Sequence, residues 1–277
     1  MTDKRNTMTD KRYYTLPDGS SVPSVTTILD AVGKPQLIDW AARLEREAVC
    51  AAADEVFNSS PADLPPAVFR AQLEGRLPSN GYHKVILDSA AAIGSEVHAA
   101  IEAYLGGAGI TRLTSPEASN AFQAWRAWHK TASLHVHLSE STIWSRTYSY
   151  AGTLDLLGDV TVNGIRYTEV VIDWKTSSRI RPEAEMQVAA YGAALHEMGH
   201  TRGVPHGLVV RLPKDGSPAE TRLLTPDQMR RAHAAFLAAR TIFDYVTPAH
   251  VNQILPAKTS RPAAGPAFGF AGGAQCA

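Results

Sequence analysis

Two periodicities divide this chain. Between residues 36 and about 132, apolar positions recur three and four apart among strong helix formers, the mark of helices with one buried face. Three stretches carry it: QLIDWAARLEREAVCAAAD, DSAAAIGSEVHAAIEAYL and EASNAFQAWRAWHKTA. Pro61, Pro65 and Pro66 interrupt the first, glycines 106, 107 and 109 close the second, and Thr114-Ser115-Pro116 opens the third. Trp125 and Trp128 fall on one face of that third helix, as core residues do. After residue 134 the pattern changes. HVHLSESTIWS, YSYAGTLDLLGDV and IRYTEVVIDWKT are rich in β-branched and aromatic residues and predict three successive strands. A helix through PEAEMQVAAYGAALHEMG follows, then a strand HGLVVRL, a turn at PKDGSP, a strand from Glu220 to Leu224, and a helix opened by Thr225-Pro226-Asp227 that runs to about Tyr245. Ahead of all this, YYTLPDGSSVPSV reads as a hairpin turning at Asp18-Gly19. The order is helices, then β-β-β-α-β-β-α, an α/β fold on a mixed sheet flanked by helices.

One strand breaks its own pattern. In EVVIDWKTSS, residues 169–178, an apolar run carries Asp173 and Lys175 two positions apart. Residues i and i+2 of a strand face the same side, so these charges point together while Trp174 points away. Burying either charge alone is costly, and burying the pair stabilises little unless the remaining hydrogen bonds are met. Either the stretch reaches the surface there, or a cation offsets the cost. One strand earlier, GTLDLLGD places Asp155 in a similar apolar setting. Two carboxylates brought together by adjacent strands would repel unless a cation lay between them, and oxygen ligands suit Mg²⁺ or Mn²⁺. Register stands in the way. A two-residue turn at Asn163-Gly164 would set Val162 opposite Ile165 and Asp155 opposite Ile172, leaving Asp155 and Asp173 on opposite faces. A metal site therefore requires a bulge or a longer turn that shifts one strand by a residue.

Composition narrows the function classes. The chain has 277 residues, 44% apolar and 19% charged, which suits an ordinary globular protein with ample core. Its 27 basic and 27 acidic residues cancel, so global attraction to nucleic acid is not expected, whereas a local basic groove is compatible with it. Cys50 and Cys276 are the only cysteines, so neither a disulfide framework nor a four-cysteine iron–sulfur cluster is expected. No apolar run approaches the roughly 20 residues of a membrane span, and the N-terminus lacks the apolar centre of a secretory signal. A cytoplasmic protein with no membrane partner is the expectation. MTDKR occurs twice within residues 1–12, which are read as disordered or artefactual, with Met8 as an alternative start. One domain is expected over residues 13–255, mainly helical over 36–134 and α/β over 135–245. The Ala-, Gly- and Pro-rich segment 256–277 is read as a disordered tail.

Asp155 followed by Asp173-Trp174-Lys175 resembles the PD-(D/E)XK nuclease superfamily, although Leu154 stands where the name has proline. Gln187 and Tyr191, four apart on the next helix, resemble the Q-X-X-X-Y motif of its RecB-like branch. Gly94 to His98 resembles that branch's G-X-X-X-H segment, and VPSVTTIL resembles the opening of phage-encoded and mitochondrial-maintenance exonucleases. The resemblance implies a restriction-endonuclease-like fold and a DNA exonuclease of recombination, repair or phage genome processing, in a bacterial or phage-infected cell. It implies Mg²⁺ or Mn²⁺ held by His98, Asp155, Asp173 and the carbonyl of Trp174, with Lys175 positioning the attacking water. Gln187 and Tyr191 would orient Lys175 or bind phosphate. Arg179 and Arg181 are candidates for DNA phosphates, and Glu102 and Glu140 are candidate additional acidic residues. The partner is DNA, single- or double-stranded, with a recombination or replication protein as a further expectation. Two alternatives stay open: a structure-specific or nicking endonuclease, and a catalytically inert DNA-binding or assembly protein. His135 and His137 share a strand face without completing a ligand set.

Overall fold

The computed structural model describes residues 12–33, 35–60, 64–109 and 112–247. Strands β1 (Tyr13–Thr15) and β2 (Ser21–Pro23) pair antiparallel across the expected turn, where Gly19 takes a φ of 83°. Helices α1 (Val25–Leu29), α2 (Pro35–Ser59), α3 (Pro66–Glu74), α4 (Tyr82–Leu105) and α5 (Pro116–Ala132) come next. Then follow β3 (His135–Ser145), β4 (Tyr150–Val162), β5 (Ile165–Lys175), α6 (Pro182–Glu197), β6 (His206–Arg211), β7 (Glu220–Leu224) and α7 (Pro226–Val246). The β-β-β-α-β-β-α order is the one the pattern predicts. Helices α1 and α3 are additional. Pro65 and Pro66 do not simply break the chain: Pro65 caps α3 and Pro66 occupies its first turn, where a missing N–H costs nothing. Helix α4 also starts earlier than its best periodic stretch, at Tyr82. The doubled MTDKR segment and the 256–277 tail lie outside the described residues, apart from Arg12.

The main sheet runs β3-β4-β5-β6-β7, antiparallel except for the parallel β5–β6 pair that α6 connects. Helices cover both faces. On one, Tyr150, Leu154, Leu157, Val171 and Val209 pack against Val188 and Leu195 of α6 and Phe236 of α7. On the other, Leu156, Ile172, Trp174 and Val210 pack against Val97 and Ile101 of α4 and Phe122 and Trp125 of α5. Trp125 and Trp174 meet edge to face at 6.2 Å, so the expected tryptophan of the helical region is core. Side-chain caps from Ser115 and Thr225 begin α5 and α7. Glu197, at the end of α6, accepts bonds from Ser145 Oγ (2.6 Å) and the Arg146 and Thr147 amides, tying that helix to the β3–β4 turn. No helix among the described residues is long and apolar enough to cross a membrane.

The register shift that a metal site requires is present. From the Asn163-Gly164 turn, Val162 pairs with Ile165 and Val160 with Tyr167; beyond it, Gly158 pairs with Val170 and Leu156 with Ile172. One residue on β4 and two on β5 separate those blocks, so the pairing moves by one. The extra residue is accommodated at Glu169, in the left-handed region at φ 54°. Asp159 fills the irregularity: its carboxylate accepts from the Glu169 amide (3.2 Å) and from Arg166 (3.0 Å), and it lies 3.2 Å from His137 Nε2. His137 itself is skipped in a second irregularity between Val136 and Leu138. That departs from the regular strand on which His135 and His137 would share a face. One step beyond the Leu156–Ile172 pair, Asp155 and Asp173 become register neighbours.

Candidate active site

At the C-terminal end of β5, Asp173 is fully buried. Lys175 Nζ lies 2.9 and 2.7 Å from its two oxygens. The same ammonium donates to Gln187 Oε1 at 3.1 Å, and Gln187 Nε2 donates to Tyr191 Oη at 3.0 Å. Helical spacing puts Gln187 and Tyr191 one turn apart on α6, so a single helix face reaches both. Tyr191 can lie over β4 only because residue 152 is glycine: a Cβ there would sit 2.6 Å from the Tyr191 ring. The result is a relay of contacts from Tyr191 through Gln187 and Lys175 to Asp173.

Helix α4 closes the other side. Asp155 Oδ2 accepts the Trp174 amide at 2.8 Å, and its Oδ1 lies 3.5 Å from His98 Nδ1. His98 Nε2 is 3.1 Å from the Trp174 carbonyl oxygen. Histidine, carboxylate and the main chain of Trp174 therefore converge. Glu140 joins them: one donor atom each from His98, Glu140 and Asp155 lie within 4.8 Å of one another. Glu140 reaches that point through a left-handed backbone, φ 43°, while Ser139 and Ser141 keep ordinary pairing with Leu156 and Leu154. Such a conformation costs of order 1–3 kcal/mol for a residue other than glycine and gathers at functional sites. Leu138 and Ile143, on either side of it, both join the α6 and α7 core, which strict alternation would forbid.

Burial sets the electrostatics. It pushes the Glu140 carboxyl up to about 7, with Asp155 adding repulsion, His98 opposing and Glu102 adding a little more. Burial would lower His98, but the hydrogen bond and charge of Asp155, with the charge of Asp173, leave it raised. Burial likewise disfavours the Lys175 ammonium, yet Asp173 and Asp155 hold it charged. For Asp173, burial raises the pKa against the pull of Lys175, and Asp155 raises it further. The two partners pull in different senses. The short contact to a firmly charged ammonium decides for an ionised Asp173 at neutral pH. Even so, Asp173 Oδ2 meets the ammonium at 2.7 Å without hydrogen-bond geometry and has no other hydrogen-bond partner among the described residues. A buried carboxylate oxygen with a spare lone pair, beside a His–Glu–Asp trio, is a donor set suited to a small divalent cation.

The remaining sequence candidates divide. Glu102 lines the same cavity as the trio, about 470 Å³, but is not one of its three donors. Arg179 and Arg181 line a larger cleft of about 990 Å³ that also touches His98, together with Lys175, Arg211 and Lys214. Leu37 and Trp40 of α2, Ile86 and Leu87 of α4 and the carboxylate of Asp215 line it too. Arg12, Tyr14 and Thr153, in the smaller cavity, are site-lining residues that the sequence reading passed over. Thr153 was findable, since it shares a strand face with Asp155; the other two reach the site only through the hairpin's packing.

No family model matches the chain. Over 141 residues, 48% of its length, the chain is 30% identical to mitochondrial genome maintenance exonuclease 1 of Xenopus tropicalis, covering 39% of that protein. The Mus musculus protein of the same name is 32% identical over 109 residues, 37% of this chain and 31% of that one. The Homo sapiens protein is 34% identical over 96 residues, 32% of this chain and 26% of that one. The match thus spans well under half the length of each relative.

Proposed function

We propose that this protein is a divalent-metal-dependent DNA exonuclease of the RecB-like PD-(D/E)XK type. The observation that carries the reading is the shift at Glu169, without which Asp155 and Asp173 would face opposite ways. Relatives named as exonucleases support the reaction class, and the expected motifs converge in space as well as in order. In this reading one nuclease domain occupies residues 13–255, with 36–134 as its helical part and 135–245 as its catalytic core.

Asp155, Asp173, Glu140, His98 and the Trp174 carbonyl would hold Mg²⁺ or Mn²⁺. Such an ion supplies Lewis acidity to a phosphodiester oxygen and acidifies a water for attack. The chain's own groups do the rest. Lys175, charged and anchored by Asp173 and Gln187, is placed to orient that water and to offset charge developing on the phosphate. Tyr191 holds the Gln187 amide so that its oxygen faces the ammonium. For His98 to ligate through Nε2, the proton must sit on Nδ1, where Asp155 Oδ1 is available to accept it. The larger cleft, lined by apolar and cationic side chains, suits a DNA strand with bases against Trp40 and phosphates against Arg179 and Arg181.

The test uses linear, end-blocked and circular DNA, single- and double-stranded, in Mg²⁺, Mn²⁺ or EDTA. Loss confined to free ends and abolished by EDTA is expected, with Lys175→Ala slower by roughly two to four orders of magnitude. Cleavage of circles would turn the reading to an endonuclease. No metal-dependent loss would leave a DNA-binding protein.

A further inference from the structure

The two cavities that meet at His98 differ in more than size. The larger is lined by several cations, apolar side chains and one carboxylate, Asp215. The smaller, about 470 Å³, is lined by the carboxylates of Glu102, Glu140 and Asp155 and by Arg12 with the hydroxyls of Tyr14, Thr26, Ser95 and Thr153. A volume of that order accommodates a small ligand rather than a long polymer segment. Arg12 is unusually well fixed for an arginine near a chain end. Its amide donates to Thr27 Oγ1 at 3.1 Å, and its carbonyl accepts from the Ser24 amide at 2.8 Å. The guanidinium stacks on the Tyr14 ring at 4.8 Å and reaches Thr153 Oγ1 at 3.4 Å, while Tyr14 Oη lies 3.0 Å from the same hydroxyl. Thr153 stands two residues before Asp155 on β4, about 6.6 Å along the strand. A cation is thus held beside Thr153, two residues along β4 from the carboxylate that would grip the ion.

We propose that this cavity is the subsite for the nucleotide released by cleavage, with Arg12 contacting a phosphate and Tyr14 and Thr153 positioning the guanidinium. The inference rests on the nuclease reading and adds a direction to it: the uncut strand lies in the larger cleft and the departing nucleotide in the smaller. The carboxylates there argue for the same contact: Arg12 is the arginine among them, so a nucleotide's phosphate finds its favourable partner in Arg12 while its sugar and base meet hydroxyl groups.

Titration of the Mn²⁺-loaded protein with thymidine monophosphate and with thymidine, followed by calorimetry, tests it. Wild type should bind the monophosphate more tightly than the nucleoside. Arg12→Ala should weaken the monophosphate by roughly tenfold or more and leave thymidine unchanged, a loss typical of one charge-assisted contact. Arg12→Lys should recover part of the affinity, and Thr153→Val should lose a smaller part. The bonds that fix the Arg12 backbone use no side-chain atom of its own, so the two Arg12 variants should melt as wild type does. Equal binding of the two ligands by wild type, or an Arg12→Ala protein that binds the monophosphate normally, would overturn the subsite. Absence of any metal-dependent DNA loss by wild type would instead overturn the nuclease reading, which this binding measurement does not touch.

Discussion

Glu140 joins backbone strain to perturbed chemistry in a single residue. Its left-handed φ is unfavourable for a residue other than glycine, and burial in the fold raises its carboxyl to about 7. In the unfolded chain the same carboxyl titrates near its ordinary 4.5. Between those values the folded protein keeps a proton that the unfolded chain has released, so stability falls as pH rises through this window. His98, also raised, acts in the same sense at higher pH, its contribution being full below about 6.5 and lost as pH passes its folded value. In EDTA, the melting temperature of wild type relative to Glu140→Gln should therefore fall from pH 5 to 7, since His129, His206 and His233, which burial lowers and which act in the opposite sense, are common to both proteins. An unchanged slope in the variant would mean that Glu140 titrates normally. The residue was named from the sequence as one acidic candidate among others; nothing in HVHLSESTIWS reveals that its backbone is left-handed.

Elements matter here through the places where they stop being regular. β4 and β5 form an ordinary hairpin at the Asn163-Gly164 end and a shifted one at the site end, and Asp159 is the pin between the two. Removing its carboxylate strands the Glu169 amide and releases Arg166. Asp159→Ala should cost about 1–3 kcal/mol of stability. It should also slow cleavage by more than that loss of folded protein explains, because the register that brings Asp155 to Asp173 loses its support. Urea melts together with activity measured well below the midpoint separate the two effects. A variant that unfolds more easily but cuts at the wild-type rate when folded would show that the bulge holds its place without Asp159. Strand existence was readable from composition, and the need for a shift was readable from parity. Its location was not, because the group that stabilises it lies ten residues away on the neighbouring strand.

For the whole molecule, the donor set draws on both sides of the sheet. His98 comes from α4, Glu140, Asp155 and Asp173 from three strands, and Gln187 holds Lys175 from α6. An ion gripped by all of them would bind the folded chain alone, so it should stabilise the fold as a unit. At one hundred times its dissociation constant, Mn²⁺ should contribute about 2.7 kcal/mol. For a domain of this size that corresponds to a rise in melting temperature of roughly 5–10 °C. Differential scanning fluorimetry with Mn²⁺ and then excess EDTA would show the rise and its reversal. Asp155→Asn should lose most of the gain, and equal gains in the variant and wild type would place the ion elsewhere.

By itself the sequence determined the order of the strands and the longer helices and the mixed α/β class, and it singled out Asp155, Asp173 and Lys175 as candidates, because strand parity, helical spacing and turn chemistry act over a few residues; His98, Gln187 and Tyr191 were nominated by the resemblance. It also determined that Asp155 and Asp173 could meet only if the pairing slipped. Tertiary structure alone decided that it slips at Glu169, that Glu140 stands beside His98 and Asp155, and that Arg12 closes the smaller cavity. Each of those outcomes depends on groups distant in the chain competing for the same buried space and hydrogen bonds. No local pattern records which of them wins.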